Sequence, residues 1–111
     1  MDNKTQFKAL LFIQSYNVFK YPTRWVLMSL IRYQQIFNLE DTFVLNTISL
    51  KSLFDIEPSK LDRYLDYFKN GNWLSYSKQD NDKYNVTINY EKIIKRRNDV
   101  IFYSNLKKNK K

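Results

Sequence analysis

The fold is decided by residues 56–74, which read IEPSKLDRYLDYFKNGNWL. Pro58 suits the first position of a helix, because the N–H that proline lacks would have no partner there. The apolar residues that follow recur at steps of three and four, as on one face of a helix: Leu61, Tyr64, Leu65 and Phe68. Gly71 and Asn72 can each take the left-handed conformation that ends a helix. The stretch therefore predicts a helix over residues 58–70 with a sharply marked end.

Two short elements flank this helix. Ser49 can cap a helical stretch of barely two turns that ends at Phe54, and residues 55–57 form a turn. After the helix the apolar period changes to two, which predicts a β-hairpin with strands at 73–77 and 84–89. The six residues between these strands are all polar, so we expect a long charged tip.

The rest of the chain adds helices at both ends. Helical periodicity covers residues 4–19 and 24–37, whereas residues 43–48 are rich in β-branched side chains and predict a strand or an extended connector. Asn89 can cap a last helix over residues 90–106.

The composition bounds both the size and the chemistry of the chain. Its 111 residues suffice for one core, so we expect a single domain over residues 1–111, of mainly α class with a small β-hairpin (α+β). The absence of Cys and His excludes disulfides, thiol and imidazole catalysis and the usual zinc sites. One glycine is too few for a P-loop or a dinucleotide fingerprint, and Asp80 and Asp82 have no suitable base or metal partner nearby. We therefore expect no enzyme activity, no metal and no cofactor.

The net charge of +8 is concentrated at the carboxyl end. Residues 91–111 contain eight basic and two acidic side chains, a net charge of +6, whereas the first 90 residues carry +2. Clustering of one sign is typical of phosphate-binding surfaces and of basic tails. We expect phosphate contacts at Lys95, Arg96 and Arg97, while the basic tail at 107–111 suits a contact and a solubilising end equally well.

The sequence does not predict a membrane segment or secretion. The longest apolar run, residues 9–13, is far shorter than the roughly 20 residues of a membrane-spanning helix. The amino terminus lacks the basic start and the small-residue cleavage site of a signal peptide. We therefore expect a cytoplasmic protein.

The order of elements over residues 49–89 resembles the winged helix-turn-helix superfamily, in its small bacterial, plasmid or phage form. Residues 56–65 resemble the start of the recognition helix of that superfamily. One departure is visible, since the superfamily commonly has glycine where this chain has Asn72. The resemblance implies a helix-turn-helix at 49–70, a wing at 73–89, extra helices at both ends, and double-stranded DNA as the partner.

The resemblance singles out side chains for two kinds of DNA contact. A helix fits the major groove, and the side chains near its amino end reach base edges. The candidates for base contact are Ser59, Lys60 and Arg63. The candidates for phosphate contact, on the preceding helix, the hairpin tip and the last helix, are Lys51, Lys78, Lys83, Lys95, Arg96 and Arg97. Phosphate contacts make binding depend on salt without specifying sequence.

The candidates have alternative roles. Ser59 can be an ordinary first-turn residue, and Lys78 and Lys83 can serve only to keep the hairpin soluble. Arg63 can form a surface ion pair with one of three nearby acids: Glu57, Asp62 or Asp66.

Apolar stripes on the two terminal helices exceed what the central unit can cover. We expect a homodimer in which these stripes pack across a two-fold axis, through Phe7, Leu11, Tyr90, Ile94 and Ile101. Two recognition helices would then contact half-sites one helical turn apart. Packing of the same stripes within one chain is the alternative.

The sequence thus predicts a non-enzymatic, sequence-selective protein that binds double-stranded DNA. A small transcriptional regulator and a plasmid or phage DNA-segregation or replication accessory protein, with a possible protein partner, are equally compatible. No effector domain or ligand pocket is evident, which favours an assembly role. The alternative is a protein–protein interaction module on the same scaffold, in which Lys60 and Arg63 are replaceable. A sheet that stacks RNA or single strands is less favoured, because only Tyr76 and Tyr84 could contribute.

Overall fold

The computed structural model describes residues 3–109 and their side chains as far as Leu106. Over this part the chain forms five helices and one three-stranded sheet. The elements in order are α1 (Asn3–Ser15), α2 (Thr23–Ile36), β1 (Thr42–Asn46), α3 (Thr47–Phe54), α4 (Pro58–Asn70), β2 (Leu74–Asp80), β3 (Lys83–Ile88) and α5 (Tyr90–Asn109). The predicted α+β class is confirmed.

The sheet is antiparallel with strand order β1-β3-β2. Val86 on the central strand β3 pairs with Phe43 on one side and with Tyr76 on the other. Alternate residues of β3 are buried, as the period of two requires: Tyr84, Val86 and Ile88. The segment predicted as a strand or connector is therefore a strand, β1.

One apolar core joins all five helices to the sheet. Its largest fully buried side chains include Phe12, Leu27, Leu45, Leu61 and Phe68. A buried polar pair lies within it, because the Tyr90 hydroxyl donates to Gln34 Oε1 at 2.7 Å. The Gln34 amide nitrogen donates in turn to the carbonyl of Glu40 at 2.9 Å. Both polar atoms of this buried side chain are therefore hydrogen-bonded.

Helix α1 is shorter than predicted. It ends at Ser15 rather than at residue 19, and Phe19 is buried in the connection to α2. The buried face consists of Gln6, Ala9, Leu10, Phe12 and Ile13. Apolar residues lie on nearly all sides of this helix, so its periodicity alone does not select the buried face.

Helix α3 begins at Thr47, two residues before Ser49, which the sequence predicts as its cap. The Asn46 side chain accepts hydrogen bonds from the backbone N–H of Ile48 at 2.9 Å and of Ser49 at 3.2 Å. Asn46 is therefore the cap, in extended conformation at the end of β1.

The hairpin has a short turn instead of the predicted six-residue tip. Strands β2 and β3 continue to Asp80 and from Lys83, which leaves only Asn81 and Asp82 between them. A register shift between Lys78 and Asp80 accommodates this turn.

Helix α4 begins and ends at the predicted residues. Asn72 takes the left-handed conformation, with φ of 62°, whereas Gly71 has φ of −87°. Gly71 is required for a different reason, since a Cβ there would lie 2.6 Å from the Trp73 ring.

Helix α5 continues to Asn109, beyond the predicted end at residue 106. Asn89 caps it as expected, accepting a hydrogen bond from the Lys92 N–H at 3.1 Å. Lys107 and Lys108 of the predicted tail thus belong to the helix, and Lys110 and Lys111 lie outside the described residues.

Candidate nucleic-acid interface

Helix α4 buries one face and exposes the opposite one. Leu61, Leu65 and Phe68 are fully buried against the core. The residues on the opposite face follow at steps of four, four and three, and all are exposed: Ser59, Arg63, Tyr67 and Asn70. We call these four residues, together with the exposed Lys60 beside them, the outward face of α4.

The two acids of α4 are turned toward the sheet. The Tyr84 hydroxyl donates to Asp62 Oδ1, and the Tyr76 hydroxyl donates to Asp66 Oδ1. The bond to Asp66, with burial adding to it, raises the pKa of Tyr76 to about 12. Burial, followed by the bond to Asp62, also raises the pKa of Tyr84. Both carboxylates remain exposed at the edge of the outward face, and each accepts a hydrogen bond from a tyrosine of the sheet.

Arg63 does not form any of the three ion pairs that its sequence neighbours offer. Asp62 and Asp66 bind tyrosine hydroxyls, and Glu57 binds Lys51. Among the described side chains, no acid lies within ion-pair distance of Arg63 or of Lys60. Two adjacent cations with no ion-pair partner therefore lie in the first two turns of α4.

The backbone at the amino end of α4 offers few free donors. Pro58 has no N–H, and the N–H of Lys60 donates to the carbonyl of Glu57 at 3.0 Å. An anion at this end of the helix would accordingly be bound mainly by the side chains of Ser59, Lys60 and Arg63.

Lys51 is engaged within the chain instead of being free for a phosphate. Its ammonium donates to Asp55 Oδ1 at 2.6 Å and to Glu57 Oε1. The hydrogen bond to Asp55, followed by that to Glu57, raises the pKa of Lys51, and the same contact lowers the pKa of Asp55. Lys51 thus joins α3 to the α3–α4 turn, and the phosphate contact predicted there stays a prediction.

The hairpin lysines lie on strands and not on a projecting loop. Lys83 pairs in register with Asn46, so the hairpin extends past β1 only by the turn at Asn81 and Asp82. The Asp82 carbonyl accepts a hydrogen bond from the Thr47 N–H at 2.8 Å, which ties this turn to the start of α3. Lys78 and Lys83 are exposed, with the Lys78 ammonium 5.8 Å from the centre of the Tyr84 ring.

The three consecutive basic residues of α5 do not share one face. Lys95 and Arg96 are exposed, whereas Arg97 is partly buried and donates to Asn98 Oδ1 at 3.0 Å. One turn earlier, the Lys92 ammonium donates to the Gly71 carbonyl and lies 4.4 Å from the centre of the Trp73 ring. Lys92 therefore contacts the carboxyl end of α4, about 18 Å along that helix from Ser59 at 1.5 Å per residue.

The residues predicted for a dimer contact are divided between surface and core. Phe7 and Leu11 are 59% and 46% exposed, but Tyr90 is buried and Ile94 packs against the core. Burial raises the pKa of the Tyr90 hydroxyl. Tyr90 is a core residue because its ring is buried and its hydroxyl bonds to the buried Gln34 of α2.

A different apolar surface on α5 was missed in the sequence. Phe102, Tyr103 and Leu106 are 60%, 64% and 43% exposed. They lie on the side of α5 away from the buried Tyr90 and Ile93, and this separation into two faces was the available signal.

The described residues show neither a metal site nor a membrane span. No group of three or more acidic side chains among them could hold a metal ion. None of the helices over residues 3–109 has the length and apolarity needed to cross a bilayer. Comparisons with protein-family models, with curated proteins and with solved structures give no match to this chain.

Proposed function

We propose that this chain is a sequence-selective protein that binds double-stranded DNA through α4, on a winged helix-turn-helix scaffold. The observation that carries the proposal is the outward face of α4, which presents Ser59, Lys60 and Arg63 while Asp62 and Asp66 bind tyrosines beside the sheet. A helix with a cationic amino end and polar outward side chains has the chemistry needed to contact base edges in a major groove.

The order of the elements supports the same scaffold. A short helix, a three-residue turn, a longer helix and a hairpin follow one another, and β1 pairs with the strand that returns from the hairpin. The short hairpin turn limits the reach of a wing. We therefore assign the phosphate contacts of the hairpin to Lys78 and Lys83 on its strands, and a further one to Lys60, which is also a candidate for base contact.

The biological role within this proposal is that of a small transcriptional regulator or of a segregation or replication accessory protein, located in the cytoplasm and without enzyme activity. Selection of bound fragments from the source genome distinguishes these roles. A site that overlaps a promoter supports regulation, and tandem repeats support segregation or replication.

The direct test is fluorescence anisotropy with a selected duplex over a series of salt concentrations. We expect affinity to fall by orders of magnitude between low and physiological salt. Arg63→Ala should reduce the preference for the selected duplex, whereas Arg32→Ala, an exposed arginine on α2, is the matched control. Negligible duplex affinity at about 50 mM salt would contradict the proposal.

A protein–protein interaction module is the second candidate. The exposed side chains of Phe102, Tyr103 and Leu106 favour it, since large apolar patches mark contact surfaces. In that case Phe102→Asp should abolish association with a partner, and Arg63→Ala should leave it unchanged.

A further inference from the structure

A cleft of about 420 Å³ opens beside the amino end of α4. Its walls come from the connection between α1 and α2, the first turn of α2, the α3–α4 turn and the first two turns of α4. Four aromatic side chains line it: Tyr21, Trp25, Phe54 and Tyr64. The volume lies within the range of roughly 300–1,000 Å³ that is usual for small-molecule sites.

Two of these aromatic side chains, Trp25 and Phe54, form the aromatic wall of the cleft and are held together by a hydrogen bond and a ring contact. The Trp25 indole N–H donates to the carbonyl of Phe54 at 3.2 Å. The two rings meet edge to face, with centroids 6.2 Å apart. Trp25 is nevertheless 43% exposed and Tyr21 78% exposed, so ring surface remains open to a ligand.

The polar groups of the cleft are of both signs. Lys60 contributes an ammonium without an ion-pair partner among the described side chains. Asp55 and Glu57 also line the cleft, and Lys51 binds one oxygen of each. The second oxygen of each carboxylate has no hydrogen-bond donor among the described residues and can accept one from a ligand.

We propose that this cleft binds a nucleotide. A ligand that satisfies the whole site needs a flat ring for the aromatic wall, N–H donors for Glu57 or Asp55, and a negative charge for Lys60. A nucleobase supplies the ring and the N–H donors, and its phosphate supplies the charge. Stacking of a base on aromatic side chains is worth about 1–3 kcal/mol by alanine substitution.

Two sources can supply this chemistry: a free mononucleotide, and an unpaired nucleotide at the end of a bound strand. Binding of a free mononucleotide does not depend on duplex binding by α4, so the two proposals can fail separately. Lys60 belongs both to the cleft and to the outward face of α4. A bound mononucleotide therefore withdraws Lys60 from a duplex and weakens duplex binding.

The test uses Trp25 as the reporter. The chain has two tryptophans, and Trp73→Phe leaves Trp25 as the single indole. We titrate this variant with AMP, GMP, adenosine and inorganic phosphate to about 1 mM, a concentration that detects even weak binding. We expect saturable quenching by a mononucleotide, weaker quenching by adenosine, and none by phosphate. Calorimetry on the unmodified chain gives the same comparison if Trp73→Phe folds poorly.

Two variants with matched controls locate the site. Tyr21→Ala should weaken mononucleotide and adenosine binding alike, whereas Tyr67→Ala, an exposed tyrosine outside the cleft, should have no effect. Lys60→Ala should weaken mononucleotide binding about tenfold and leave adenosine binding unchanged, because only the phosphate contacts the ammonium. Lys69→Ala is the control on the same helix.

A titration with duplex DNA distinguishes a free mononucleotide from an unpaired nucleotide at a strand end. A Trp25 response to a duplex with a one-nucleotide overhang, absent with the blunt duplex and with mononucleotides, supports the strand end as the ligand. The proposal is overturned if Trp25 responds to none of these probes, or if binding survives both Tyr21→Ala and Lys60→Ala.

Discussion

Asp62 and Asp66 determine how the outward face of α4 is charged. A carboxylate beside a DNA phosphate is unfavourable, so their position decides whether this helix can approach a duplex. Both accept hydrogen bonds from tyrosine hydroxyls at the sheet. Spacing from the buried residues gives the positions of both acids on α4, but only the packing of α4 beside the sheet brings the hydroxyls of Tyr76 and Tyr84 within hydrogen-bond distance of them.

The bond between Tyr76 and Asp66 predicts a loss of stability at high pH. The pKa of Tyr76 is about 12 in the folded state against an ordinary 10.0, so the folded state holds the hydroxyl proton more tightly than the unfolded state. The stabilisation is therefore complete below about pH 10 and is lost as the pH rises toward 12. Urea unfolding at several pH values should show this decline, reduced in Tyr76→Phe. The Tyr67→Phe variant is the control, and an equal decline in Tyr76→Phe and the unmodified chain contradicts the assignment.

The end of α4 gives a second prediction at this scale. Asn72→Ala should lower the free energy of unfolding by about 1 kcal/mol, because alanine is strained at φ of 62°, whereas Asn72→Gly should be nearly neutral. Gly71→Ala should lower it by about 1–3 kcal/mol, because the new Cβ overlaps the Trp73 ring. Urea unfolding measures all three. A stable Gly71→Ala would show that the Trp73 ring can move aside.

At the scale of elements, the sequence predicts best where local chemistry marks a boundary. Helix α4 begins at Pro58, and Asn89 caps α5, as predicted. The predicted hairpin tip was wrong because β2 is an edge strand whose end is exposed, so that Lys78 and Asp80 pair with β3 without any apolar alternation. The exposed residues of the candidate site were predictable from spacing. The pairing of Lys51 with Glu57 was not, because it depends on the angle between α3 and α4.

The cap of α3 gives a prediction for that element. Asn46→Ala should lower the free energy of unfolding by about 1 kcal/mol, since two backbone N–H groups lose their acceptor. Ser49→Ala should change it little, although Ser49 was the predicted cap. Chemical denaturation of both variants compares them, and a larger loss in Ser49→Ala contradicts the structural cap.

Lys51 on α3 and Lys60 on α4 should differ in their effect on DNA binding. Lys60→Ala should lower the slope of log affinity against log salt by about 0.9, the value for one phosphate contact. Lys51→Ala should leave the slope unchanged, because its ammonium is held by two carboxylates. Anisotropy titrations at four salt concentrations give both slopes. An equal reduction by Lys51→Ala would show that the Lys51 ammonium also contacts a phosphate.

At the scale of the whole molecule, the chain is elongated, and the exposed end of α5 is the surface that we expect to make contact with a second copy. The described chain measures 55 × 26 × 23 Å, and Phe102, Tyr103 and Leu106 lie exposed on a 20-residue helix. Tyr90 and Ile94, which the sequence assigned to a dimer contact, pack on the core instead. A homodimer, if it forms through this helix, must use its outer face.

The oligomeric state is the prediction at this scale. We expect light scattering after size exclusion to give a dimer mass that falls to a monomer in Phe102→Asp, with an unchanged melting temperature. Ile36→Asp, at an exposed apolar position on α2, should remain dimeric. A monomer mass for the unmodified chain at high micromolar concentration contradicts the dimer.

The most direct test of DNA binding through α4 is a titration of the isotope-labelled chain with a duplex, followed residue by residue in amide NMR spectra. The account predicts that the largest shift changes fall on Ser59, Lys60, Arg63 and Tyr67, and that they disappear on addition of salt. Changes confined to α1 and the end of α5, with the amides of α4 unaffected, would contradict it.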